Sequence, residues 1–447
     1  MPNIAKVAKA RPEDTVNSLL FRRDALMGPN APLLYESPLY LIKGEGVWVM
    51  DDQGRRYLDA YNNVPHVGHS HPAVVEAVTG QLGLLNTHSR YLSKVVLDYH
   101  EQLLSIVDLP AARVILTCTG SESNELALRM ARHVTGNMGV IVTDYTYHGN
   151  TAAVAEVSTA FSANPSTLPN HIRTIRAPQI LQAQRGEHPS LAFEAEIRDD
   201  YLQDVKAALA HFDEHGIGVA AVLLDPIFST DGLPDVVPGF IKEAVDLVHK
   251  AGGLYIADEV QPGLGRCGEN WWGYQLHDVR PDLITLGKPL GNGYPVAGVI
   301  GRADIVDRFR REVMYFNTFG ATPVACAAGA AVLQVIEREN LIENARETGL
   351  VLLRKLKELA TRYDFVGDVR GRGLFVGVEL VAGGGNPNPN SLLAKKVIEG
   401  MRNEGVLISK IGKYDNVLKI RPPLPFSIEN VDQFVDSMGK VFSNLQR

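Results

Sequence analysis

The chain has 447 residues, enough for two or three units each with a core of its own. A hydrophobic share of 45% and a charged share of 21% are those of a globular protein, and a formal net charge of −7 with no basic stripe argues against a nucleic-acid partner. Cys118, Cys267 and Cys326 are far apart and form no CxxC pair, which speaks against a disulfide framework or structural zinc and fits a reducing cytoplasm.

The N-terminus, MPNIAKVAKARPEDTV, has no apolar stretch, and Glu13 and Asp14 count against a transit peptide. No apolar run approaches the roughly 18 residues of a membrane span, and no repeat of roughly 20–50 residues points to a solenoid. From about residue 110 to 300, short apolar runs alternate with helical patterns. The runs are Val114-Ile115-Leu116, Val140-Ile141-Val142, 219–224, Leu254-Tyr255-Ile256-Ala257, Leu283-Ile284-Thr285-Leu286 and 296–300. Runs this short and this rich in Val, Ile and Leu suit strands buried on both faces of a mainly parallel sheet. Ile241, Ala244, Val245 and Val248 recur at helical spacing, and Gly252-Gly253 ends that helix. The pattern predicts an α/β layer architecture. After about residue 325 the texture changes. Helical patterns over 324–338 and 341–363 lead to short strands at 374–380, 405–409 and 417–420, with GGGNPNPN (383–390) read as a loop. The expected division is 1–55 as an N-terminal segment packing with the small unit, 56–324 as the large unit, and 325–447 as a smaller α+β unit.

Four segments carry chemistry, and each sits at an expected strand end, where open α/β sheets bind ligands. In TGSESNELAL (119–128), a strand gives way to a helix whose apolar face includes Leu126 and Met130. The Gly120 and Ser121 amides at its positive end would cradle a phosphate; the plainer reading is a serine N-cap with no ligand. In Tyr147-His148-Gly149, Tyr147 could lie flat on a ring, or merely cover a turn. In IADEVQPGLGR (256–266), Asp258 and Glu259 end an apolar strand, and a carboxylate there needs a cationic partner such as a protonated pyridine nitrogen. Gln261 could bond a phenolic oxygen. A metal is the weaker reading, because no histidine stands at ligand spacing. In ITLGKPLGNG (284–293), Lys288 directly follows a buried strand. A buried lysine loses some preference for its charge, which favours a Schiff base; taken alone it could be a snorkelling surface lysine.

A phosphate cradle, a ring stacker, an acid and an amine together cover every part of pyridoxal 5'-phosphate. Their order and spacing resemble the class III (ω-type) aminotransferase family, with matches from RYLDAYNN (56–63) through DEVQ, Lys288 and TFGATP (318–323) to LKIRPPL (418–424). The resemblance implies a fold-type-I pyridoxal-phosphate enzyme with a large, mainly parallel sheet and a smaller α+β domain. It implies Lys288 as Schiff-base lysine and general base, and Asp258 as partner of the ring nitrogen. It also implies a homodimer in which Thr318 reaches the neighbouring subunit's cofactor phosphate.

The chain departs from the family's amino-acid transaminases at the carboxylate clamp. Their Arg-x-x-Pro-Pro-Leu arginine aligns with Lys419, and Arg421 lies two places later. Their Glu-Pro-Ile-Gln-Gly-Glu segment reads DPIFSTDG (225–232) here, with Thr230 in place of the gating glutamate. The loop YNNVPHVGH (61–69) brings Asn62, Asn63 and His66 where an aromatic is usual. With LLNTHSR (84–90) and YFNTFG (315–320), these features resemble the family's phospho-lyase branch, which acts on O-phosphoethanolamine or phosphohydroxylysine. That branch implies elimination of phosphate from a phosphorylated primary amine, giving acetaldehyde, ammonia and phosphate from O-phosphoethanolamine. The alternative is a transaminase using a 2-oxo acid; a silent scaffold is disfavoured by the intact Lys288, Asp258 and Gln261. Asn63, His66, Arg90, Lys419 and Arg421 are the candidates to hold the substrate.

Overall fold

A computed structural model describes residues 15–29, 31–161, 168–179 and 191–446. Residues 1–14, which carry most of the segment read for a leader, lie outside them. The described chain forms strands in three sheets. An antiparallel ribbon comes first: β1 (Leu41–Glu45), β2 (Trp48–Asp51) and β3 (Arg56–Asp59). The main sheet holds β4 (Ala112–Thr117), β5 (Gly139–Thr143), β6 (Ile172–Ile175), β7 (Val219–Leu224), β8 (Leu254–Asp258), β9 (Leu283–Leu286) and β10 (Ala297–Arg302). The C-terminal part contributes β11 (Val366–Arg372), β12 (Phe375–Gly383), β13 (Asn386–Pro389), β14 (Val406–Leu407), β15 (Ser409–Ile411) and β16 (Val417–Ile420).

The main sheet runs in the order β4-β10-β9-β8-β7-β5-β6, and only β10 is antiparallel to its neighbours. The C-terminal ends of β4, β5, β7, β8 and β9 therefore share one edge. All six residues of β7 are buried, because helices cover both faces. Each fully buried Val or Leu there contributes about 1.5–3 kcal/mol of transfer free energy. The helix Phe240–Lys250 places Phe240, Ile241, Ala244, Val245 and Val248 against the sheet, the face its sequence spacing predicts.

Some expectations need correction. β6 reads IRTI, and its Arg173 and Thr174 interrupt the apolar run; it is an edge strand, half-exposed at those two positions. β11 contains two arginines and two glycines, and it exists because it pairs along β12. The stretch 383–390 is not all loop: after a turn at Gly384 and Gly385, β13 pairs back on β12 as an exposed edge, where prolines are tolerated. The single strand expected at 405–409 is two. β14 joins β3 in parallel, β15 joins β16, and buried Ile408 turns the chain from one sheet to the other. Tyr35 Oη donates to the Ile408 carbonyl at 3.1 Å, and the Glu36 amide donates to Glu399 at 2.7 Å.

Close helix packing sets a clear constraint at Gly329, in the helix Pro323–Arg338. A Cβ there would fall 2.4 Å from Cζ of buried Tyr99, in the helix Lys94–Ser105. Alanine normally stabilises a helix by about 1 kcal/mol over glycine. Here overpacking reverses the sign, and Gly329→Ala should destabilise by about 1–3 kcal/mol. A lowered urea midpoint is the expected result; a raised one would contradict this packing.

Candidate active site

The site assembles where the parallel strands end. A cavity of about 210 Å³ is lined by Gly120, Ser121, Tyr147, His148, Gly149, Asp225, Asp258, Val260, Gln261 and Lys288. A larger hollow of about 730 Å³ is lined by Ile227, Leu233, Lys242, His277, Arg372 and Phe375 among others, and Asp258, Gln261 and Lys288 are not in its wall.

After β4 the chain enters the helix Gly120–Thr135. Thr119, not a serine, is the N-cap, and Glu122 closes a reciprocal capping box. Thr119 accepts from the Glu122 amide through Oγ1 and from the Ser123 amide through its carbonyl, and the Glu122 carboxylate accepts from the Cys118 and Thr119 amides, while among the described residues the Gly120 and Ser121 amides have no acceptor. Two free amides at a positive helix end form an anion site facing the cavity. Gly287 passes so near that a Cβ would stand 3.1 Å from Gly120 Cα. On the other side Gly149, at φ +142°, leaves no room for a side chain: a Cβ would lie 2.5 Å from Ser121 Oγ.

Asp258 ends β8 and is buried. Its Oδ2 accepts from His148 Nδ1 at 2.6 Å and from Asn124 Nδ2 at 3.0 Å, and its Oδ1 accepts from the Val260 amide at 3.0 Å. Burial pushes its pKa up, but His148, the Val260 amide and the Lys288 charge outweigh burial and hold it below the usual carboxylate range. Asn124 is fixed in turn, donating to the His148 carbonyl at 2.7 Å and accepting from Thr285 Oγ1 at 2.7 Å. Glu259 points away from the cavity. Its two oxygens accept from the Gly273 and Tyr274 amides at 2.8 and 2.7 Å, and burial raises its pKa to about 8.

Lys288 follows β9 with φ +30°, a backbone outlier for a lysine and a local strain. The residue as a whole is exposed where it lines the cavity. Protein on the other sides desolvates it, the Arg421 charge opposes it, and its pKa falls to about 8 despite Asp258 and Asp225. Asp225, at the end of β7, accepts from the amides of Ile227 and Ser229 at 3.0 and 3.1 Å; burial raises its pKa.

Opposite stands β16. Lys419 and Arg421 are buried, and among the described residues neither has a carboxylate within ion-pair distance. Both donate to Gln261 Oε1, Lys419 Nζ at 3.3 Å and Arg421 more closely. Arg421 Nε also donates to the Tyr61 carbonyl at 3.3 Å, and the guanidinium lies 5.3 Å from the Phe375 ring centre. Burial, then the Arg421 and Lys288 charges, hold Lys419 well below its ordinary pKa; Arg421 is lowered by burial to about 10.

The cavity thus gathers Gly120, Ser121, Tyr147, Asp258, Gln261 and Lys288, with Lys419 and Arg421 reaching Gln261. Tyr147 is half-buried and meets Phe161 edge-on at 5.0 Å. His66 is not brought in. It donates from Nε2 to the Leu264 carbonyl at 2.7 Å and accepts at Nδ1 from Arg266 at 3.1 Å, and burial keeps it neutral. Arg90 is exposed and covers the Phe316 ring at 3.8 Å. Thr318 is exposed and does not line its own chain's cavity. Asn63 is buried, and its Nδ2 has no acceptor among the described residues. Sequence reasoning assigned no role to His148, Asn124 or Asp225. The signal was present for His148, next to Tyr147, because an acid at an apolar strand tip needs a donor.

These residues fit pyridoxal 5'-phosphate: acceptor-free amides for a phosphate, an aromatic beside the cavity, an ionised buried acid and an amine of depressed pKa. Among the described residues no cluster of His, Cys, Asp or Glu is placed to hold a metal ion, and no helix is long and apolar enough to cross a membrane. The class III aminotransferase family matches residues 34–442, and the chain belongs to it; pyridoxal 5'-phosphate is that family's cofactor. Within the family, the chain is 36% identical over 445 residues to ethanolamine-phosphate phospho-lyase homolog 1 of Caenorhabditis elegans, covering 96% of this chain and 94% of that one. A phospholyase from Arthrobacter, solved in complex with phosphoethanolamine, superposes with a TM-score of 0.91 at 46% identity, covering 95% of this chain and 99% of that one. Human mitochondrial alanine–glyoxylate aminotransferase 2 is 33% identical over 443 residues, covering 92% and 83%.

Glu259 gives a pH test of the site's scaffold. An acid whose folded pKa is raised favours the native state below its unfolded pKa, and that contribution is lost as pH rises to the folded value near 8. Glu259→Gln cannot ionise, so its stability deficit against the parent should shrink from about pH 5 to about pH 9 in urea titrations. A deficit that grows over that window would contradict the burial assigned to this carboxylate.

Proposed function

We propose that the protein is a phospho-lyase that eliminates phosphate from a phosphorylated primary amine such as O-phosphoethanolamine. With one water, that substrate gives acetaldehyde, ammonia and inorganic phosphate. The observation that carries this reading is the buried Lys419–Arg421 pair, which among the described residues forms no ion pair and donates only to neutral oxygens, chiefly the shared Gln261 Oε1. Two unbalanced cations match a phosphate dianion better than a single carboxylate, and burial magnifies the mismatch. The relatives named as phospho-lyases support the same choice.

Bound pyridoxal 5'-phosphate supplies a ring that accepts the electron pair left when a proton leaves the carbon beside the substrate nitrogen. The residues divide the remaining work. The Gly120 and Ser121 amides hold the cofactor phosphate, and Tyr147 covers the ring. Asp258, kept ionised by His148 and the Val260 amide, holds a proton on the ring nitrogen. Lys288, with a pKa near 8, is partly neutral at physiological pH and takes the proton from carbon. Lys419 and Arg421 hold the phosphate as it leaves and offset its charge; Asn63 Nδ2 is a further donor for it. On this reading the large unit spans 56–324, and the described part of the segment before residue 56 belongs with the small unit at 325–447.

The reaction is tested by phosphate release from O-phosphoethanolamine with no 2-oxo acid present. Release equal to the aldehyde formed is expected, and Lys288→Ala should lower the rate at least about a thousandfold while keeping the fold. Alanine made from pyruvate, with no phosphate released from any phosphoamine, would instead identify a transaminase.

The working unit on this reading is a homodimer, with Thr318 turned to the partner's cofactor. Thr318 stands amid exposed apolar residues: Met314 is 93% and Phe319 70% exposed, and Leu92 is fully exposed. His88 ties the two segments together, stacking on Tyr91 and meeting Phe316 edge-on at 6.0 Å. A patch like this marks a partner surface. Sedimentation should give a dimer at assay concentration, and Leu92→Asp should yield monomers that retain the cofactor poorly. A fully active monomer would overturn the shared site.

A further inference from the structure

Gln261 leaves β8 three positions after Asp258 and hangs over the strand ends that carry Asp258 and Lys288. An amide offers an acceptor on one side and donors on the other, and cations can use only the acceptor. Lys419 Nζ, at 3.3 Å, and the Arg421 guanidinium both face Oε1. They fix which way the amide points: its oxygen toward β16, its NH₂ toward the cavity. A neutral oxygen satisfies their hydrogen bonds without balancing their charge. Arg421's other direct contacts are also uncharged, namely the Tyr61 carbonyl and the faces of Tyr61 and Phe375, while Asp59 and Asp225 act on it only at longer range.

Resting on the phosphate-elimination reading above, we infer that Lys419 and Arg421 form a phosphate subsite whose occupant competes with Gln261 Oε1, making Gln261 a positioning residue that couples the leaving group to the cofactor. With the subsite empty, the two cations lock the Gln261 amide. A phosphate dianion is the better acceptor, takes both cations, and frees the amide to turn. Asp258, Asp225 and Lys288 are the other charged groups facing this space, and Arg421 and Lys288 oppose one another across it. A dianion therefore also relieves the repulsion between Lys419 and Arg421. Departing phosphate would stay on the subsite as a product inhibitor, and the state of the Gln261 amide would report its presence.

The test uses the cofactor-loaded protein, whose own cofactor phosphate already fills the helix end, and inorganic phosphate as the probe. Calorimetry and the visible absorption of the bound cofactor are followed together. One saturable phosphate per chain is expected, with a change in the visible band at the same midpoint. Lys419→Met should weaken that binding at least about tenfold, the loss of one charge-assisted contact, and keep the cofactor. In Gln261→Ala no acceptor need be displaced, so phosphate should bind about fivefold tighter while the band change falls by half or more. Gln261→Glu, which supplies a counter-charge in place and guards against a folding artefact, should weaken phosphate at least about tenfold. No saturable binding, binding without a band change, or weaker binding in Gln261→Ala would each overturn the coupling. A failure to release phosphate from phosphoamines would instead sink the reaction and leave this subsite standing.

Discussion

A carboxylate that stays ionised away from water must be surrounded by donors, and the donors around Asp258 organise the whole site. His148 brings the loop after β5, and with it Tyr147 and Gly149. Asn124 brings the first turns of the helix Gly120–Thr135, and with them the free amides of Gly120 and Ser121. Thr285 reaches Asn124 from β9, three residues before Lys288. One buried charge thus ties four strand ends together. The same charge favours the charged form of the Lys288 amine against the desolvation that lowers its pKa.

The opposite wall obeys the reverse constraint. β16 and the residue after it deliver two buried basic side chains that form no ion pair among the described residues, and Gln261 is the acceptor they share. A buried unbalanced charge costs stability, so its persistence points to a ligand that completes it. Asp258 is balanced within the protein, whereas Lys419 and Arg421 are not. On the phospho-lyase reading, this asymmetry separates the half of the site that holds the cofactor from the half that receives the substrate.

Much of this was legible in the sequence. Buried parallel strands announce themselves as apolar runs, so β5, β7, β8 and β9 were visible, and the residues at their tips followed from the rule that open sheets bind at strand ends. The edge elements were not, because β6, β11 and β13 draw their definition from pairing with a neighbour. Side-chain direction was hidden too. His66 sits in a loop read as facing the substrate, yet Leu264 and Arg266 take both its ring nitrogens. Arg90 spends its guanidinium on Phe316. Glu259 and Asp258 are adjacent in sequence, and only the alternation along a strand sends one to the cavity and the other to the backbone of 273–274.

The most direct measurement is a crystal structure of the cofactor-loaded Lys288→Ala protein, which cannot turn over, with O-phosphoethanolamine. The substrate phosphate is expected on Lys419 Nζ and the Arg421 guanidinium, with Gln261 Oε1 no longer shared between them. A phosphate held elsewhere, with both cations still on Gln261, would contradict the reading of β16 as the wall that receives the leaving group.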